Sequence, residues 1–415
     1  MRHTDANHHL KWLGEGIDTN MKREKDLKEG FYFVHGYYWD GISRYNKKEL
    51  YRNHMILIKD NFEDVYDIDA YDIDLIKMKI DNFIPPGEFV YYRDKYIKIA
   101  EKDSNSIVYS ELNKQLIKMI GYEHYGNQPK KISGIMKDVY SYHINVGHGN
   151  CSIIVYYEKE SYHMMMIDCS IFDFTNRQNY ATNLNECMEF IYRKYRVSTI
   201  SKLLITHLHY DHINGIEYLI KTRRITKETE VWMNTQYPWK QPSYNRILLQ
   251  LKALGIRFID PIVSNSTENI NVLYPDISFN KKNKAPKNNI NNASVLYQVC
   301  LNGKSMLFTG DIEYEGWEKV STCKPYLCQS SYYCISHHGS ITGHIRDVCI
   351  PKGRVIETVK DCAKNTKLQI LMGRDNAYSG IYNSRVLSDF YNVIKTEDAE
   401  HYIEINWNKI ELKNR

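Results

Sequence analysis

The densest chemistry in the sequence lies in Thr206-His207-Leu208-His209-Tyr210-Asp211-His212, three histidines and an aspartate within six positions. Imidazole nitrogens and a carboxylate so close together suit zinc, manganese or iron. Residues two apart on a tight loop can point the same way. His207 and His209 can therefore grip one ion while Asp211 and His212 turn towards a second. The bland alternative is a chance cluster of surface or core-satisfied histidines, and the density of this HxHxDH pattern argues against it.

Two further stretches add to it. Phe308-Thr309-Gly310-Asp311 sets an aspartate just beyond a strand-like run, and Ile335-Ser336-His337-His338-Gly339-Ser340 sets paired histidines beyond another. Either alone would carry little.

The surrounding pattern supplies elements able to hold these groups. From Tyr142 onward, strand-like SIIVYY and YHMMMI are followed by helix-like TNLNECMEFIYRKY, strand-like KLLIT and helix-like INGIEYLIKTRR. Then come helix-like SYNRILLQLKAL, a hairpin of SVLYQVC and SMLFTG across Asn302-Gly303, and strand-like YYCIS. Alternation of this kind predicts a layered α/β domain with the polar residues at strand ends. The Lys- and Asn-rich stretch from Lys281 to Asn292 reads as a surface loop.

Upstream, residues 31–39, 54–58 and 89–99 are rich in aromatic and β-branched residues and are separated by turn formers such as Pro85-Pro86-Gly87. They predict a smaller β-rich or mixed α+β domain. The Gly-, Pro- and Lys-containing stretch Gly126–Gly134 places the boundary, giving an accessory domain at 1–135 and a larger domain, which holds the histidine and aspartate motifs, at 136–415. Within the first, the acidic run Asp67–Asp74 lacks the glycine and late glutamate of a calcium loop and reads as a solvated face. The aromatic and basic mixture of Phe89–Lys98 is explained by strand packing without a nucleic-acid role.

The motifs, taken in order, are NVGHGNCSIIV at Asn145, IDCS at Ile167, THLHYDHINGI at Thr206, NNASVL at Asn291, LFTGDIE at Leu307, SHHGS at Ser336, GRDNAY at Gly373 and KTEDAE at Lys395. The sequence of motifs resembles the metallo-β-lactamase superfamily from about His143 to Asn406. Within it, the chain is similar to the soluble hydrolase domain of ComEC-type competence proteins, which take up DNA. The resemblance implies a four-layer αββα fold and two divalent metal ions, zinc or manganese. By it, His207 and His209 hold the first ion, Asp211 and His212 the second, Asp311 bridges them and His337 completes the ligand set of the second ion. His338 is the alternative ligand and, with Asp211, a candidate for direct catalytic work. Asp168 matches an aspartate that supports the histidine loop instead of binding metal.

The chain departs from the superfamily in having no histidine between His212 and His337, so the usual third histidine of the first site is missing. Asn292 or Ser294 can supply an oxygen there, or can simply cap a strand start. GRDNAY runs on into Ser379-Gly380-Ile381 where competence-type domains have a glycine, a histidine and a proline. His148 sits where relatives carry a polar residue facing the pocket; substrate binding, proton relay and a plain turn histidine all remain open for it. His344 reads as a solvated loop histidine sooner than as a general acid.

Composition sets the frame. A 43% hydrophobic and 25% charged chain of 415 residues is long enough for two folded domains and is not a disordered one. Its +5 formal charge is compatible with a polyanionic substrate without requiring one. Nine cysteines without CxxC or framework spacing favour a reducing cytoplasm. No secretory leader and no apolar run approaching about 20 residues is present, so no membrane association is expected. The 35 tyrosines read as compositional bias.

The expected activity is a nuclease or phosphodiesterase in which two ions share an activated hydroxide, with DNA, RNA or a nucleotide as substrate. A small cyclic nucleotide, a lactone or another ester is the alternative within the same enzyme class. A weakly active nucleic-acid- or partner-binding module, of the kind found in phage defence, is the alternative from another class. A protein partner would then dock through the N-terminal domain.

Overall fold

The computed structural model describes the strands between residues 10 and 99, residues 121–123, 138–234, 242–275, 290–323, 330–344, 366–409 and 411–415. The chain divides into two compact units, Met1–Met119 with Lys240–Leu251, and Ile120–Trp239 with Lys252–Arg415. The stretch Gly126–Gly134 lies outside the described residues.

In the first unit, the aromatic and β-branched runs form strands Phe31–Asp40, Asn53–Lys59, Phe89–Arg93 and Tyr96–Ile99 of an eight-stranded sheet. Leu10–Gly16 lies between Phe31–Asp40 and Phe89–Arg93, antiparallel to both. The acidic run falls on a hairpin of Val65–Ile68 and Ile73–Ile76.

Two mixed sheets build the second unit. The nine-stranded one runs, in spatial order, Glu411–Asn414, Tyr402–Asn406, Tyr140–Ile144, Cys151–Glu158, Ser161–Cys169, Lys202–Leu204, Glu230–Trp232, Arg257–Ile259 and Tyr122–Glu123. The six-stranded one runs Ile270–Tyr274, Leu296–Leu301, Lys304–Phe308, Tyr332–Cys334, Leu368–Leu371 and Val393–Lys395. Between Leu296–Leu301 and Lys304–Phe308, Asn302 and Gly303 both take positive φ, at 49° and 68°, as a two-residue hairpin turn demands.

One apolar core joins residues of both sheets, with Ile154, Met165, Leu204 and Trp232 from the first and Tyr297, Phe308, Tyr332 and Ile370 from the second. Helix Ala181–Tyr195 covers the outside of the first sheet with Leu184, Cys187, Met188, Ile191 and Tyr195, the three- and four-residue spacing of a single buried stripe. Its last turn carries Arg193 and Lys194, which oppose the negative end of the helix dipole. Helix Tyr314–Cys323 packs on the second sheet. This is the four-layer αββα arrangement that the motifs imply. Parallel strands meet antiparallel ones within each sheet, so both sheets need covering and receive it.

A buried histidine shows what a structural imidazole looks like in this chain. His143 is wholly enclosed, with Nδ1 2.9 Å from Ser152 Oγ and Nε2 3.2 Å from Ser141 Oγ. Burial pushes its pKa down to about 3 from the ordinary 6.5. The unfolded chain binds a proton at this residue below about pH 6.5 and the folded chain does not, so folding stability falls as pH drops from about 6.5 to about 3. Each pH unit in that window costs about 1.4 kcal/mol from this residue. Denaturant melts of wild type and His143→Gln at pH 7 and pH 5 test it: the variant is expected to lose less stability between the two pH values.

Candidate metal centre

The site forms where several strand ends of the second unit converge. Asp168 is the penultimate residue of Ser161–Cys169, and its backbone takes φ 53°, a conformation costly for a non-glycine residue and one that aspartate tolerates better than most. Lys202–Leu204 leads into the histidine loop, and Tyr210–Ile213 forms a short helical turn capped by His209. Lys304–Phe308 leads to Asp311, and Tyr332–Cys334 leads to the paired histidines. His337 and His338 have φ of 48° and 49° and Gly339 follows at 73°, three left-handed residues in a row. Gly310, also left-handed at φ 53°, has no room for a side chain: a Cβ there would sit 2.6 Å from Thr206 Oγ1. Its hydrogen in place of a methyl lets the Asp311 loop close against the histidine loop.

Two sets of buried ligand atoms result. Asp211, His212, Asp311 and His338 form one, and His207, His209 and Asp311 the other, with all atoms in each set within 4.8 Å of one another. Asp311 belongs to both. Its Oδ1 lies 3.3 Å from His212 Nε2, and its Oδ2 lies 3.5 Å from His338 Nε2 and 3.8 Å from His207 Nε2. Asp211 Oδ2 is 3.3 Å from His338 Nε2 and 3.8 Å from His212 Nε2. His207 Nε2 and His209 Nδ1 are 3.1 Å apart.

Neighbouring groups fix the rings. His212 Nδ1 donates to Asp168 Oδ2 at 2.8 Å, which leaves Nε2 with its lone pair facing the cluster. Asp168 also accepts from the Thr206 backbone N–H and hydroxyl, both at 2.7 Å, and so ties the histidine loop to the strand. His338 Nδ1 donates to the Met372 carbonyl at 3.0 Å and likewise presents Nε2.

The two adjacent histidines for which the resemblance implies ligand roles are placed differently at the cluster. His338, by that resemblance the alternative ligand, enters the cluster with a side chain 2% exposed, while His337 is 13% exposed. His337 Nε2 stands 3.9 Å from Asp311 Oδ2, and its Nδ1 lies 3.0 Å from Thr342 Oγ1 and 3.3 Å from Glu313 Oε1. The left-handed turn at both residues aims neighbouring side chains in different directions, and the inner position falls to His338.

The NNAS segment is turned away from ligand duty. Asn292 Oδ1 accepts from the backbone N–H groups of Glu313 and Gly316, and its Nδ2 donates to Glu315. Ser294 Oγ accepts from the Asp311 backbone N–H at 3.1 Å. Both residues brace the loop that carries Asp311. The tail of the stretch expected to be a surface loop is therefore corrected, because Ile290, Asn291 and Asn292 are buried; residues 276–289 lie outside the described residues. Ser294→Ala would leave the Asp311 amide without this acceptor. The expected cost is about 1–2 kcal/mol of stability in a denaturant melt, with turnover reduced far less than by loss of Asp311 itself.

His148 and His344 also end up inside. His148 lies against the cluster, with its ring centroid 4.1 Å from that of His338 and 4.6 Å from that of Tyr378. His344, expected to be solvated, is buried because its Nε2 pairs with Asp389 Oδ2 at 2.9 Å and Trp317 Nε1 donates to the neighbouring Gly343 carbonyl. Thr206, Glu313 and Tyr378 were all contained in the motifs without being singled out; the D-x-E spacing of Asp311 and Glu313 was the available signal. Met372 acts through its carbonyl, which no side-chain pattern reveals.

The electrostatics fit a cation. Burial alone would raise the Asp311 carboxyl, but the imidazoles of His338, His212, His337 and His207 hold it well below its usual range. Burial would lower His338, yet the Asp311 and Asp211 carboxylates raise it to about 10, and His212 is raised for the same reason. These fully enclosed carboxylates demand positive charge, which either protons or metal ions can provide. The buried His212 Nε2, Asp311 Oδ1 and His338 Nε2 make no well-formed hydrogen bond among the described residues. Mixed imidazole and carboxylate donors left in this condition fit zinc or manganese.

Residues 144–320 match the family model described as the metallo-beta-lactamase superfamily. Among solved structures, the chain is similar to the metallo-beta-lactamase fold protein YhfI from Bacillus subtilis, at 11% identity over 65% of this chain and 100% of that one, with a TM-score of 0.36. It is similar to a diphosphatase of the PhnP family at 9% identity, over 66% of this chain and 100% of that one, with a TM-score of 0.34. CmlA, a diiron beta-hydroxylase from Streptomyces venezuelae, is similar at 9% identity over 95% of this chain and 79% of that one, with a TM-score of 0.33. No curated protein matches the chain.

Proposed function

The chain carries a metallo-β-lactamase-fold hydrolase domain, and we propose that it hydrolyses a phosphodiester in DNA, RNA or a nucleotide with the help of two divalent cations, zinc or manganese. The observation that carries this reading is the sharing of the buried Asp311 between two ligand sets. Such a pair of ions, when bound, would supply Lewis acidity, lower the pKa of water to near neutrality and hold both the attacking and the leaving oxygen of an in-line displacement.

The chain's own residues provide the rest. His207, His209 and Asp311 hold one ion, and Asp211, His212, His338 and Asp311 hold the other. Asp168 and the Met372 carbonyl orient His212 and His338. Enclosure of these groups keeps bulk water from weakening their charges. His337, the more exposed ring, is held by Thr342 and Glu313 on the outer side of Asp311 and is available to a substrate.

The order of competence-type motifs supports a nucleic-acid substrate, and the mildly basic chain is compatible with one. We assign residues 1–135 an accessory, partner-binding role, supported by the separate eight-stranded sheet that the strands between Leu10 and Ile99 form. A reducing, cytoplasmic setting is supported by Cys151, Cys169, Cys187, Cys300 and Cys334 being free thiols. Among the described residues, no helix is long and apolar enough to cross a membrane.

The test incubates the purified protein with manganese or zinc and single- or double-stranded DNA, RNA, cyclic nucleotides or a lactam, beside His207→Ala and Asp311→Asn. Turnover of a nucleic acid or nucleotide that both variants lose supports the proposal. Turnover confined to the lactam would move the substrate class to esters and amides. Nucleic-acid binding without turnover would make the domain a binding module.

A further inference from the structure

One guanidinium beside the centre has no part in the function proposed above. Arg374 follows Met372, whose carbonyl orients His338, and Gly373, whose φ is 120°. A Cβ on Gly373 would lie 2.9 Å from His338 Nδ1, so only glycine lets this stretch run against the ligand, and Arg374 comes one residue later. On its other side Arg374 is paired with Asp173. That carboxylate packs against the loop bearing His148: a Cβ on Gly147 would lie 2.6 Å from Asp173 Oδ2, and the His148 ring centroid is 4.1 Å from that of His338. Arg374 is thus tied to two segments that both meet His338.

The guanidinium is anchored along one edge only. Its Nε donates to Asp173 Oδ2 at 3.1 Å and its Nη2 to Thr175 Oγ1 at 2.6 Å. The anchor is firm, because Asp173 is wholly buried and its Oδ1 accepts from the Thr175 N–H at 2.7 Å and from the Thr175 hydroxyl at 2.5 Å. Arginine carries five N–H donors. Two are engaged here, and those of Nη1 and the second of Nη2 make no hydrogen bond among the described residues. They form the end-on fork that matches two oxygens of a phosphate. The arginine side chain is 29% exposed, so the open part of this ion pair belongs to the arginine.

We propose that Arg374 is a substrate-binding residue that takes the phosphate next to the scissile one, and that the site therefore prefers a nucleic-acid strand to a small substrate with a single phosphodiester. The inference rests on the phosphodiester reading above. A guanidinium cannot ligate a cation, and in that reading the scissile phosphate belongs to the ions. What remains for a fixed fork at the edge of the centre is the next phosphate along the strand, which a cyclic nucleotide lacks. Asp173 offsets part of the positive charge, but it holds the fork in one orientation, so less conformational freedom is lost when the phosphate docks.

The experiment measures kcat and KM of the full-length protein with manganese on two probes, a single-stranded DNA or RNA oligonucleotide and bis(p-nitrophenyl) phosphate, across a salt series. Arg374→Gln removes the charge, whereas Arg374→Lys keeps it, together with a cation for Asp173, and removes only the fork. On the oligonucleotide, Arg374→Gln is expected to raise KM about 10- to 100-fold with kcat nearly unchanged. The slope of log KM against log salt should become shallower by about 0.7. Arg374→Lys should keep the slope and raise KM by less, again on the oligonucleotide alone, which serves as the test even if Arg374→Gln is unstable in a thermal melt. On bis(p-nitrophenyl) phosphate both variants should match wild type. Equal losses on the two probes would make Arg374 a brace of the site and overturn the proposal. An unchanged oligonucleotide KM in the variants, or wild-type turnover of the small diester alone, would overturn it too. A wild type that cleaves neither probe would overturn the phosphodiester reading itself, an outcome visible before any variant is compared.

Discussion

Replacing Asp311 with asparagine is expected to reduce turnover about 10⁴-fold while leaving a folded protein. The size of the effect follows from position. Asp311 belongs to both ligand sets, and His212, His338, His207 and His337 all approach its carboxylate within 3.9 Å. Asparagine keeps the shape and the backbone N–H that donates to Ser294, so the loop retains its brace. What it removes is the negative charge that one side chain offers to two cations. On the proposed function, losing either ion would abolish the clamp on a phosphoryl centre, so saturating metal should restore little activity. Steady-state kinetics at rising manganese concentration, beside a thermal melt, separate this outcome from simple unfolding. Recovery of near wild-type turnover at high metal would mean that Asp311 contributes affinity alone.

The second large effect is expected at a residue that touches no ion. Asp168 accepts from His212 Nδ1, the Thr206 N–H and the Thr206 hydroxyl, and it is 1% exposed. In Asp168→Asn the new amide donates, so His212 Nδ1 can become the acceptor. The ring then carries its proton on Nε2, the atom that faces Asp311 at 3.3 Å. A wrong tautomer in an otherwise intact site should lower metal affinity about 10- to 100-fold, with activity falling at least as far. Asparagine also tolerates the left-handed backbone at φ 53°, which isolates the change of tautomer from strain. Asp168→Ala would in addition leave three buried donors unmet, at a cost of about 1–3 kcal/mol for each. Metal titrations and denaturant melts on both variants test the distinction: Asn should lose metal before stability, and Ala should lose both.

Much of the site was legible because its ligands lie next to one another in the sequence. His207, His209, Asp211 and His212 occupy one loop between a strand and a helix, and each flank announces itself by its apolar spacing. Asp311 was legible as an aspartate at a strand end, and Asp168 through its place in a motif. The division of labour between His337 and His338 was not legible. They are neighbours of the same type, and the choice is made by successive left-handed residues and by the carbonyl of Met372, a distant residue acting through its backbone. Asn292 and Ser294 could not be assigned from their types either, because an amide and a hydroxyl suit a metal shell and a loop brace equally well.

The fold divides along similar lines. Helix Ala181–Tyr195, the hairpin across Asn302-Gly303 and the strands feeding the site are local patterns and could be read directly. Spatial order is non-local. In the first unit Leu10–Gly16 lies beside Phe89–Arg93, and in the second Tyr402–Asn406 lies beside Tyr140–Ile144. No periodicity within a strand specifies such partners. His344 was misjudged for the same reason, since Asp389, which draws it into the interior, is distant in sequence.

The central claim is that Asp311 joins two cation sites. Its most direct test is the metal content of the purified protein after equilibration with zinc or manganese, measured by elemental analysis beside Asp311→Asn. The account predicts two ions per wild-type chain at saturating metal and a reduced content in the variant. A wild-type protein that takes up neither metal, or a variant that holds as much as wild type at every concentration, would contradict it.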